Sequence, residues 1–468
     1  MLRLLLSAFF LCPVCLGLYA QTSVIDSLDE ALQKLALEEY FSGNLLLAEG
    51  GKVLLRKSYG FSDFANKTPL RENAILELAS VSKQFTAAAV ALLAKEEKID
   101  LDAPIADYLP ELAAYPEVTT RQLVHHTGGL PDYMSMAEKV DDASPFVTNQ
   151  FALDVFRDEK PEREFAPGEK FSYSNSGYLI LASLVERVSK QPFGDFMRER
   201  VFVPLGMTDS QIYRRRYESD RKVDRFVPGY VWENEQYIIP DSLEDYDFVV
   251  TLDGVFGDGM VNSTLDDLYR WDRALASGKL DTALLLTPGK TNDGESTEYA
   301  FGQGVRQHPK YGYTISHSGG WPGVVTYIYR FPETDRTLIL LRNDGGGRND
   351  RVNVLRNALH ALHGMPLETK SLAPPKFTTV DVKKVEDLFG TYAVSPDFKF
   401  TFFASDDGKF MAQATGQSAL QLGKHETEDR YAILEVNADI QFHRDETGKV
   451  TGLTLFQRGR EIPAQREE

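Results

Sequence analysis

Three short clusters in this 468-residue chain hold side chains able to break an acyl bond. Ser80-Val81-Ser82-Lys83 sets a hydroxyl and an amine three residues apart, which on a helix places both on one face about one turn apart. A serine at a helix start can attack a carbonyl while the amine takes its proton and free backbone N–H groups receive the oxyanion. Ser219-Asp220-Arg221-Lys222 repeats the spacing in a charged stretch with no apolar helix behind it. A loose pair of that kind cannot supply positioned proton transfer. Tyr173-Ser174-Asn175 is the single Y-x-N of the chain. Near a lysine, its tyrosine can relay protons, and its asparagine can bond either a substrate amide or that lysine. His317-Ser318-Gly319-Gly320 joins an imidazole to small residues that let a substrate backbone lie close to a strand edge. His126-Thr127-Gly128 also fits H-x-G but precedes the tyrosine cluster. The paired histidines, His125-His126 and His360 with His363, have no carboxylates at ligand spacing, so no metal site is expected.

These residues need a scaffold. Residues 80–95 read as an Ala-rich helix whose Phe85, Ala87, Ala88, Val90 and Leu92 face a core and can hold Ser80 and Lys83 rigidly. Asn44 to Glu49 and Val53 to Tyr59 read as a hairpin around Gly50-Gly51. Val324 to Phe331 and Arg336 to Arg342 form a second strand pair, followed by a helix from Asn349 to His363. Helical patterns at Tyr178 to Lys190 and Phe193 to Val201 lie between. Strands near both ends with helices between predict one sheet assembled from distant segments, with a helical insertion. The Tyr173 cluster is expected on a loop before the first of those helices. Residues 211–256 read as irregular and are expected to shape the substrate mouth, with the run Arg214-Arg215-Arg216 on a solvated surface. After Leu372-Ala373-Pro374-Pro375 the chain turns to short strands, which predicts a small antiparallel barrel or sandwich. Its expected core is Phe402, Phe403, Phe410, Tyr431, Phe442 and Phe456.

Composition limits the function. Acidic residues outnumber basic ones, 69 to 51, and the net charge is -18. Such a chain is a poor partner for nucleic acid. Residues 1–20 carry Arg3, an apolar run from Leu4 to Tyr19 and small Ala20, the pattern of a secretory signal; lipoprotein anchoring has a weaker basis. Both cysteines, Cys12 and Cys15, lie inside it, so the expected mature protein has no disulfide and no thiolate nucleophile. No other stretch is long and apolar enough to span a bilayer. The expected organisation is a signal peptide at 1–20, a catalytic domain at 21–366, a linker at 367–379 and an antiparallel β domain at 380–468.

The order S-x-x-K, Y-x-N, H-x-G resembles that of the serine β-lactamase and penicillin-binding protein superfamily, most closely its class C-like branch. LVHHTGGLPDY at 123–133, FAPGEKFSYSNSGYL at 165–179, PLGM at 204–207 and GDGMVNSTLDDLYRW at 257–271 are similar to that family as well. The likeness spans about residues 30–365. It implies an α+β domain, an antiparallel sheet with helices on both faces plus a helical subdomain. It also implies Ser80 as acylated nucleophile, Lys83 as its amine partner and Tyr173 in proton transfer. Asn175, His317, Gly319 and Gly320 would contact substrate, with the N–H groups of Ser80 and Gly320 as oxyanion hole. No metal or organic cofactor is implied. The expected function is an exported, periplasmic or secreted serine hydrolase of peptides, amides or esters, such as a D-alanyl-D-alanine carboxypeptidase, a D-amino-acid peptidase or an esterase. A β-lactamase or a penicillin-binding sensor with little turnover are the alternatives. Many family β-lactamases have lysine where His317 stands. With an ordinary pKa of ~6.5, His317 is expected to be roughly a quarter charged at pH 7 and to hold acidic substrates better at pH 6 than at pH 8.

Overall fold

The computed structural model describes residues 13–467 apart from 141–144, 349–351, 374–377, 426, 435–437 and 458–459. Residues 1–12 of the expected signal lie outside the described residues, and the first helix, α1 (Pro13–Leu37), runs through its expected end. No helix among the described residues is long and apolar enough to cross a membrane. The chain divides into two compact units, Met1–Gly346 with Leu355–Leu367 and Gly347–Val354 with Glu368–Glu468.

The first unit is built on one antiparallel sheet. Its strands are β1 (Gly43–Glu49), β2 (Lys52–Tyr59), β3 (Gly304–His308), β4 (Gly312–Trp321), β5 (Val324–Phe331) and β6 (Arg336–Arg342), in the order β3-β4-β5-β6-β1-β2. Gly50 and Gly51 turn the first hairpin with φ of 56° and 76°, a region that suits residues without a Cβ. β1 joins the hairpin to β6 by pairing Gly43 with Arg342 through Glu49 with Arg336. Leu45, Leu46 and Leu47 have no exposed surface, so β1 is covered on both faces. That explains its continuous apolar run, where a half-exposed strand would alternate.

Helix α2 (Lys83–Lys95) is buried almost throughout and packs on α3 (Asn175–Ser189). A helix apolar on every side belongs in a core. Helix α4 (Leu265–Ala276) packs on β1 and β6. It is pinned there by buried Asp272, which accepts from Arg330 at 2.9 Å and from Thr337 Oγ1 at 2.9 Å. A helix does close the sequence of this unit, but it starts at Val354 and ends at Leu362, shorter than the expected span; residues 349–351 lie outside the described ones.

Two further expectations change. The arginine run is not a solvated face. Arg216 is half-buried between Asp241 and Asp253, Arg215 pairs with Asp241, and Arg214 with Glu218. Carboxylates from a later part of the same segment take the charges, a pairing that linear order did not reveal. The second unit is a closed eight-stranded antiparallel barrel between Gly390 and Arg466. Phe402, Phe410, Tyr431 and Phe442 fill its core, while Phe403 and Phe456 are only partly covered because they point away from the barrel axis.

Candidate active site

Ser80 sits in a single 3-10 turn, Ala79–Ser82, that runs straight into α2. Ala79 just before it has φ of 47°, a left-handed conformation that costs an alanine about 1–3 kcal/mol. Neighbouring strands hold the turn in place. Leu78 donates its N–H to Val261 O at 2.9 Å and accepts from Thr326 Oγ1 at 2.7 Å. Ser82 Oγ accepts Val261 N–H at 3.0 Å, so this second serine is buried and occupied. Strand β4 presses on the same turn. A Cβ on Gly319 would stand 2.2 Å from Leu78 O, so only glycine allows this approach.

Lys83 is fully buried, with Nζ 3.2 Å from Ser80 Oγ. Two more acceptors surround it, Asn175 Oδ1 at 2.8 Å and Asp258 O at 2.9 Å. As an ammonium it has a partner for each of its three donors. As an amine it can accept from the Ser80 hydroxyl and still donate to the other two. Asn175 is the first residue of α3, and Ser174 caps that helix by accepting Gly177 N–H. The Y-x-N cluster thus lies where it was expected, with Tyr173 and Ser174 in the irregular segment that leads into the helix and Asn175 as the first helical residue. The Tyr173 ring lies 5.0 Å from Lys83 Nζ, and its hydroxyl bonds no described residue.

Ser80, Tyr173, Asn175 and Gly320 line one cleft, whose apolar wall includes Leu252, Met260 and Trp321. Gly320 has open space where a side chain would be. His317 and Ser318 line an adjoining groove that also contains Arg306. His317 differs from its expected state. Its Nδ1 lies 2.6 Å from Ser318 O and so carries the hydrogen, leaving Nε2 to accept from Tyr299 Oη at 2.9 Å. Burial, aided by the nearby Lys83 charge, pushes the imidazole down to about 3. It is neutral at physiological pH, and the expected partial charge is absent.

The structure adds residues that sequence reasoning passed over. Tyr133 donates to Asp258 Oδ2 at 2.9 Å beneath Lys83. Burial raises the Asp258 carboxyl above its ordinary range, against the pull of Lys83 and Tyr133. Both residues lie in segments that carried the family likeness, 123–133 and 257–271, which was the available signal. Glu77 also lines the cleft, and burial pushes it up to about 7 against the pull of Arg216. Tyr299 had no sequence signal. The rival pair at 219 is exposed, and Lys222 donates to the Ser219 carbonyl, not its hydroxyl. Among the described residues no group of three His, Cys, Asp or Glu side chains is placed to hold a metal.

A family model described as Beta-lactamase matches residues 35–362. Penicillin-binding protein 4* of Bacillus subtilis is 33% identical over 446 residues, covering 94% of this chain and 98% of that one. A D-aminopeptidase of Brucella ovis is 27% identical over 267 residues, covering 56% of this chain and 48% of the relative. Among solved structures, the octameric penicillin-binding protein homologue from Pyrococcus abyssi superposes with a TM-score of 0.63 at 20% identity, over 94% of this chain and all of that one. At that identity the likeness is one of fold.

Proposed function

This chain belongs to the beta-lactamase family of serine hydrolases, and from that premise we propose an exported enzyme that acylates Ser80 with a D-amino-acid peptide or amide and then hydrolyses the acyl-enzyme. The contact that carries the reading is Lys83 Nζ at 3.2 Å from Ser80 Oγ, fixed by Asn175 and the Asp258 carbonyl. The Ser80 hydroxyl gives its proton to the Lys83 amine as Oγ attacks the substrate carbonyl. The oxyanion is received by the N–H groups of Ser80 and Gly320. Collapse breaks the acyl–nitrogen bond, and the departing amine takes a proton relayed from Lys83 through Tyr173. Water then attacks the ester, and the same groups return the proton to Ser80.

The relatives favour D-amino-acid substrates: one is a penicillin-binding protein and one a D-aminopeptidase. A neutral His317, where many family β-lactamases carry lysine, supplies no cation for a β-lactam carboxylate and argues against a dedicated β-lactamase. The test is labelling with a fluorescent penicillin and a fluorophosphonate, with peptide mapping of the adduct. D-Alanyl-D-alanine peptides, D-amino-acid amides and a chromogenic cephalosporin are then compared as substrates. We expect one adduct on Ser80, loss of labelling and turnover in Ser80→Ala, and no loss in Ser219→Ala. An adduct on another serine, or turnover retained in Ser80→Ala, overturns the reading. A burst of acylation without turnover on any of these substrates would select the sensor alternative.

A further inference from the structure

His126 is buried to 1% exposure and held at φ of 59°, and it has no part in the steps above. It meets Tyr173 in three ways. Its carbonyl accepts Ser172 N–H at 2.9 Å, and its Nδ1 accepts Ser174 N–H at 3.0 Å. Its ring packs on the Tyr173 ring with centroids 4.4 Å and planes 35° apart. The two amides flanking Tyr173 in sequence thus both end on one residue.

The Tyr173 side chain needs such a hold. It is 42% exposed, and its hydroxyl has no hydrogen-bond partner among the described residues. Nothing at the working end of the ring fixes it, so its aim depends on what grips it from behind. The grip also defines the state of His126. A backbone N–H only donates, so Nδ1 must be bare and the ring proton must sit on Nε2. That Nε2 is buried without a partner among the described residues. An unmet buried donor is unfavourable, and a phenylalanine would pack between Tyr173 and Tyr299 without one. The positive φ also favours histidine over phenylalanine, and beyond that only the acceptor at Nδ1 distinguishes it there. Burial and the nearby Lys83 charge keep this imidazole well below its ordinary pKa, so the acceptor stays available.

We propose that His126 is the positioning residue for Tyr173, clamping the backbone on both sides of it so that its side chain keeps its place beside Lys83 in the cleft that Ser80 lines. The inference rests on the reading of Ser80 as nucleophile and Tyr173 as proton carrier. Displacing a proton carrier slightly lowers the rate of chemistry while leaving ground-state binding nearly unchanged.

The test measures the acylation rate and the initial affinity for a fluorescent penicillin in wild type, His126→Phe and His126→Asn, and again in a Tyr173→Phe background. His126→Phe keeps a ring and removes the acceptor. His126→Asn keeps an acceptor at the same place and suits the left-handed backbone. We expect His126→Phe to slow acylation about tenfold or more with affinity within about twofold, and His126→Asn to stay within about threefold of wild type. In the Tyr173→Phe background, His126→Phe should slow acylation no further. If the phenylalanine variant does not fold, His126→Gly takes its place, since it accepts the positive φ and lacks both ring and acceptor; the same loss is expected. A full rate in His126→Phe, an equal loss in His126→Asn, or losses that multiply with Tyr173→Phe overturn the clamp. No adduct on Ser80 even in wild type would bring down the acyl-enzyme reading, and this inference with it.

Discussion

Replacing His317 with glutamine should change the protein's response to acid while leaving its behaviour between pH 6 and 8 as it is. Both ring nitrogens of His317 are engaged in a buried site, and the imidazole is pushed down to about 3. At pH 6 about 0.1% of such rings carry a proton, against about 75% of free histidines. The sign of the stability effect follows. In the unfolded chain the ring titrates near ~6.5, so between that value and about 3 the unfolded state holds one more proton. Stability from this group is complete above ~6.5 and falls as the pH drops, by about 1.4 kcal/mol per unit. From pH 6.5, where the unfolded ring is already half protonated, to pH 4.5 the loss is about 2.3 kcal/mol. His125, pushed down to about 4 by burial, adds a loss of its own, so the informative quantity is the difference between wild type and His317→Gln. Urea unfolding at both pH values should show wild type losing about 2–3 kcal/mol more than the variant. Over pH 6 to 8 the wild-type KM for a carboxylate-bearing peptide should be free of any step due to this ring. Equal acid responses in the two proteins, or a KM that falls toward pH 6 in wild type but not in the variant, would refute a neutral His317.

Other consequences follow from the same geometry. Asn175→Leu removes an acceptor from buried Lys83 and should cost about 1–3 kcal/mol of stability in urea unfolding, with Ser80 acylation slowed about tenfold or more; an unchanged labelling rate counts against it. Glu77 is raised from 4.5 to about 7, so the folded state holds its proton more tightly and wild-type stability falls as the pH rises through that window. Glu77→Gln should therefore gain on wild type by up to about 3 kcal/mol between pH 4.5 and 8, and a constant difference would show that the carboxyl is not perturbed. A chain ending at Leu367 should fold and label at Ser80, given the division of the protein into two compact units; an insoluble or unreactive product would show that the catalytic unit needs the barrel.

The sequence by itself determined whatever depends on near neighbours. The Ser80–Lys83 spacing, the Gly50-Gly51 hairpin, the Ala-rich helix and the strand pair at 324–342 are set by periodicity and turn chemistry over a few residues. The order of the three motifs added the family. The tertiary structure decided what depends on residues far apart in the chain. Lys83 gains its third partner from Asp258, 175 positions away, and Leu78 is anchored by Thr326, 248 positions away. Arg216 is drawn away from solvent because Asp241 and Asp253 fold over it. His317 loses its charge because the surrounding core excludes water and the Lys83 charge lies nearby, and His126 reaches Tyr173 only where two distant segments meet. Protonation and burial follow from desolvation, and desolvation is a property of the packed molecule, with no local signature in the chain.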